Sequence, residues 1–71
     1  MAREVPIRDG TIRLGQLLKL ADLIEAGSDA KGLIADGLVY VNGDIEHQRG
    51  RQLRPGDVVR VGEDEVVISS A

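Results

Sequence analysis

Cysteine, phenylalanine and tryptophan do not occur in these 71 residues, and tyrosine, histidine and methionine occur once each. Without cysteine there is no disulfide, no thiolate metal site and no cysteine nucleophile. A lone histidine, His47, is too little for a structural zinc site. A single ring, Tyr40, cannot build the aromatic platform on which single-stranded nucleic acids stack their bases. No apolar run approaches the roughly 18 residues of a membrane span, and no signal-peptide core is present, so no membrane association and a cytoplasmic location are expected.

The apolar content is almost wholly aliphatic: eight Leu, eight Val and six Ile. That suffices for one modest core, so residues 1–71 are expected to form one domain near the lower size limit. It leaves too little material for a deep substrate pocket. The net charge of −3 argues against nucleic acid, whose ligands are usually basic. Its distribution does not. Residues 49–60 carry Arg49, Arg51, Arg54 and Arg60 against Asp57 alone, while Glu63, Asp64 and Glu65 leave the last stretch purely acidic. With a Debye length of about 8 Å, a ligand near the arginines feels the local charge more than the total.

Along the chain, EVPI (4–7) reads as an edge strand, because Pro6 cannot donate to a ladder. Asp9-Gly10 signals a turn. Leu14, Leu17, Leu18 and Ala21 recur at helical spacing, with Leu20 and Ile24 widening the stripe. Gly27 punctuates, and Ala30, Leu33 and Ile34 give a second, shorter helix that leaves Lys31 outside and ends at a C-cap glycine, Gly37. The period then becomes two. LVYV (38–41) is a strand, Asn42-Gly43 a tight turn, and 44–52 weakly strand-like at most. Arg54-Pro55-Gly56-Asp57 suits a type II turn, and VVRV (58–61) and EVVI (65–68) form a hairpin across 62–64. The class is α+β.

Chemistry-bearing residues are few. Thr11, Ser28, Ser69 and Ser70 have no evident base partner, no motif for phosphate, dinucleotide or metal is present, and no cofactor is expected. No enzyme is expected. Arg49 and Arg51 flank Gly50; in an extended backbone, residues two apart point to one side, where two guanidiniums could grip one phosphate or neighbouring phosphates. The alternative is that they pair with Glu46 or Asp44 in a solvated loop. Arg54 opens the turn out of phase with the pair and has an edge or structural role, and Arg60 lies on an outer strand face.

LGQLLKLADLI (14–24), AKGLIADGLVYVNG (30–43) and RGRQLRPGDVV (49–59) together resemble the RNA-binding domain family named after ribosomal protein S-four, in particular its small stand-alone bacterial members. The likeness covers about residues 12–61. It implies two packed helices against a small, bent antiparallel sheet (the alpha-L motif), and non-catalytic binding of structured RNA, ribosomal RNA or tRNA, with a ribosomal subunit as a further partner and the protein a monomer. Carried over by position, the RNA-binding residues are Lys19, Lys31, Arg49 and Arg51, with Arg13, Gln16 and Asn42 as additions. Many members start the second helix with Ser-Arg; here Ala26-Gly27 stands in that place. One basic contact is therefore missing, Asp29 and Asp36 dilute the field, and Arg13 partly compensates, which implies weaker and more salt-sensitive binding.

Two other classes fit parts of the sequence. An adaptor for basic ribosomal proteins would use the net acidity and the edge strand. A sulfur-carrier-like protein shares the Val-Asn-Gly strand and the later turn, but its chemistry needs a C-terminal Gly-Gly, and this chain ends Ser-Ser-Ala.

Overall fold

The computed structural model describes residues 3–24 and 27–71. Its elements run β1 (Arg3–Ile7), β2 (Ile12–Arg13), α1 (Leu14–Leu20), α2 (Gly27–Ala35), β3 (Val39–Val41), β4 (Asp44–Ile45), β5 (Gln52–Leu53), β6 (Val58–Val61) and β7 (Asp64–Ser70). Five strands form a sheet of order β1-β7-β6-β3-β4, and β2 and β5 make a separate antiparallel ribbon. Two helices packed on a small sheet give the α+β class expected. The sheet is antiparallel from β7 to β4, but β1 joins β7 in parallel, with Val5 opposite Ile68, so the whole is mixed. As expected, β1 is an edge, and Pro6 sits exposed on it.

The turns follow from residues that tolerate positive φ. Asn42 and Gly43 have φ of 52° and 89°, and join β3 to β4 by a two-residue loop. Gly56, at φ 99°, makes the turn in which the Asp57 N–H donates to the Arg54 carbonyl at 3.0 Å. The last hairpin is one residue tighter than expected: Gly62, at φ 61°, and Glu63 alone form the loop, because Asp64 already pairs with Val61.

Both helices end in the same left-handed motif. At α2, the Gly37 N–H donates to the Ile34 carbonyl and the Leu38 N–H to Leu33, with Gly37 at φ 72°. At α1, the Asp22 N–H donates to Lys19 and the Leu23 N–H to Leu18, with Asp22 at φ 61°. An aspartate thus takes the position usually given to glycine, and α1 stops at Leu20. The expected apolar stripe continues only in part. Ala21 and Ile24 are buried beyond the helix end, whereas Leu20 turns outward and is 57 % exposed. Gly27, read as punctuation, is the first residue of α2, and its neighbour Ala26 lies outside the described residues.

The core lies between the helices and the sheet. Leu14, Leu17 and Leu18 of α1 and Ala30 and Ile34 of α2 meet Val39, Val41, Val59, Val66 and Ile68 of the sheet. Leu53 of β5 joins them and is fully buried, which anchors the chain just after the arginine loop. No helix among the described residues is long and apolar enough to cross a membrane. Replacing Leu53 by Ala is expected to cost about 2–5 kcal/mol, seen as a lower urea midpoint. Leu20→Ala is expected to shift stability by about 0.5 kcal/mol or less, the usual range for a surface site.

Candidate nucleic-acid interface

Helix α1 begins without a side-chain cap: Arg13 is its N-cap residue and offers none. The first amides of a helix nevertheless need acceptors. Here they find backbone carbonyls of the arginine loop. The Leu14 N–H donates to the Arg51 carbonyl at 2.9 Å and the Gly15 N–H to the Arg49 carbonyl at 3.0 Å. One step earlier, Arg13 pairs with Gln52 and Ile12 with Leu53 in the β2–β5 ribbon. Residues 49–53 are thereby laid along the start of the helix.

Gly15 makes this approach possible. A Cβ there would lie 2.7 Å from Arg49 Cγ and 3.3 Å from its Cδ, so the Arg49 stem occupies the space a side chain would fill. The isolated glycine in LGQLLKL was the available signal, since such a residue in a helical pattern often marks close packing. Its partner could not be named from the sequence.

Beside this contact lies an open cleft of about 380 Å³, lined by Arg13, Gly15, Gln16, Lys19, Arg49 and Gly50, with Ala30 of α2 at its edge. Arg13, Gln16 and Lys19 recur every third residue and so share one side of the helix. Among the described residues, three cations and no carboxylate line the cleft. Among the described residues one ion pair forms, and it involves none of these three.

That pair is Arg51 with Glu46, at 2.5 Å. Residues 49 and 50 form a turn, so the alternation of an extended chain does not hold and the two arginines part company. Arg49 enters the cleft; Arg51 turns to Glu46. The other oxygen of Glu46 accepts from the backbone N–H groups of His47 and Gln48, each at 3.1 Å. The Arg51 hydrogen bond, opposed by partial burial and reinforced by the Gln48 N–H, holds the Glu46 carboxyl below its ordinary pKa.

The remaining sequence candidates lie elsewhere. Lys31 follows Ala30 on α2 and is exposed, but does not line the cleft. Asn42 serves as a clasp: its side chain donates to Asp57 at 3.1 Å and accepts from the Val58 N–H at 2.9 Å. Asp57 also accepts from the Arg54 N–H at 2.9 Å. That bond chiefly holds the Asp57 carboxyl below its ordinary pKa, against partial burial and with help from Asn42. Arg54 is exposed, and its described role is this backbone bond in the turn. Arg60 lies over the Tyr40 ring, 4.6 Å from its centroid, so a cation already stacks on the chain's one aromatic face.

A helix pair on a small mixed sheet, with a cationic cleft between the first helix and the loop before β5, describes a class of small RNA-binding domains. The S4 domain family model matches residues 5–69, and the chain belongs to that family. It is also similar to the probable ribosome maturation protein RlbA of Bacillus subtilis (strain 168). The two are 44 % identical over 61 residues, which span 86 % of each chain.

Two outcomes follow from the loop contacts. Gly15→Val is expected to destabilise the fold by about 1–3 kcal/mol through overpacking and to speed amide exchange at Leu14, whose N–H depends on the docked loop. Glu46→Gln removes a carboxylate whose folded pKa is depressed, so its stabilising effect is present at neutral pH and fades as the pH falls through that lowered value. Wild type is therefore expected to exceed Glu46→Gln in urea midpoint at pH 7, with the gap closing below about pH 4.

Proposed function

We propose that the protein is a non-catalytic binder of structured RNA, with ribosomal RNA as its target during ribosome maturation. It acts as a monomer in the cytoplasm and grips the RNA backbone rather than reading unpaired bases. The observation that carries this reading is the cleft itself: an acidic chain gathers Arg13, Lys19 and Arg49 around one concavity that, among the described residues, no carboxylate lines. Guanidinium and ammonium groups attract phosphate without regard to base sequence, and Gln16 adds a neutral hydrogen-bonding group. The family and the ribosome maturation name of the Bacillus relative support the choice of RNA. Arg60 over Tyr40 supports backbone contact over base stacking.

Within this reading the contributions are unequal. Arg49 lines the cleft, has no ion-pair partner among the described residues and contributes most, together with Lys19 and Arg13. Lys31 flanks the path from α2. Arg51 contributes through its hold on Glu46, and through phosphate only if that pair opens. Asn42 acts on the fold.

Binding to a folded ribosomal RNA fragment, measured across salt concentrations, tests the proposal. With three phosphates neutralised, log K is expected to fall against log salt with a slope of about −3. Combined Arg13→Ala, Lys19→Ala and Arg49→Ala substitution is expected to abolish most of both affinity and slope. Arg51→Ala alone is expected to cost less than Arg49→Ala. Equal affinity of wild type and the triple variant would refute the assignment.

A further inference from the structure

A second groove, of about 830 Å³, adjoins the cleft and shares Gln16 and Lys19 with it. It runs between α1 and the turn that joins β1 to β2. Arg8, Asp9 and Thr11 stand along the turn side, all exposed, while Ile12 and Leu20 supply apolar surface. Leu20, the last residue of α1, is the most exposed large hydrophobic residue among those described.

We propose that this groove takes an unpaired nucleotide continuing from the RNA held in the cleft, with its base on Leu20 and its phosphate at Arg8. The inference rests on the RNA-binding reading above and extends it to a second subsite. Its chemistry is mixed in a way that a duplex does not match. A duplex shows phosphates and sugars outward and keeps its base faces stacked inside. An exposed leucine lining one groove with a guanidinium and a hydroxyl fits a ligand with one flat apolar face and one anion. An unpaired nucleotide offers both. Lys19 belongs to both grooves, so a strand leaving the cleft meets no gap in positive charge. Arg8 takes part in no ion pair among the described residues, which leaves its guanidinium available. Asp9, the one carboxylate lining the groove among the described residues, opposes the phosphate and sets a limit on affinity.

The experiment compares a blunt RNA hairpin that binds the cleft with the same hairpin carrying a short single-stranded extension at its 5′ or 3′ end. Wild type is expected to bind one extended form about tenfold more tightly, the lower range for one charge-assisted hydrogen bond. Its salt slope should steepen by about 0.7, as for one single-strand phosphate. Arg8→Ala and Leu20→Ser are each expected to erase most of that gain and leave blunt-hairpin affinity unchanged. Asp9→Asn is expected to enlarge it. A hairpin that binds but gains nothing from either extension would overturn the second subsite alone, as would Arg8→Ala weakening both RNAs equally. Failure of wild type to bind any hairpin would instead overturn the reading on which it rests.

Discussion

Two backbone hydrogen bonds organise the molecule's cationic cleft. The amides of Leu14 and Gly15 need acceptors because no side chain caps α1, and the carbonyls of Arg51 and Arg49 supply them at 2.9 and 3.0 Å. The helix start and the arginine loop thus satisfy each other. Each would otherwise leave polar backbone groups to water, and neither would hold the other's cations in place. Leu53, fully buried just after the loop, and the Glu46 carboxylate just before it keep the segment from drifting. Since the first two helix amides are already engaged, the attraction of the cleft for an anion comes from side-chain charge.

The same arrangement reconciles an acidic protein with an anionic ligand. Glu46 is spent inside the loop on Arg51 and two backbone amides. Asp57 is spent on the Arg54 amide and on Asn42. Glu63, Asp64 and Glu65 gather with Arg3 and Asp22 in a separate depression, and none of them lines the cleft. Positive charge is concentrated where Arg13, Lys19 and Arg49 meet, over distances shorter than the screening length at physiological salt. The total charge then lowers long-range attraction without removing the local one.

Much of the fold was legible because it is locally encoded. Gly37, Asn42-Gly43 and Pro55-Gly56 mark positions that need a particular φ, and the structure turns at each of them. The aliphatic periods identified both helices and the long strands. What escaped was set by distant partners or by a residue acting out of type. Asp22 in a left-handed conformation follows the early end of α1, where nothing in the neighbouring sequence signals a helix stop. The parallel pairing of β1 with β7 joins the two ends of the chain, where no turn links the strands. In the loop, the candidate residues were legible as a set, but their division was not. Arg49 packs on Gly15 and Arg51 on Glu46, contacts that depend on the docked loop and not on spacing.

The central claim is that a structured RNA meets the protein at the Arg13, Lys19 and Arg49 cleft. Amide chemical-shift mapping by NMR during titration with a folded ribosomal RNA fragment tests it most directly. The account predicts the largest shifts at Gly15, Gln16, Lys19, Arg49 and Gly50, with the acidic turn at 62–65 unmoved. Shifts centred on that turn or on the sheet edges, with the cleft amides unchanged, would contradict it.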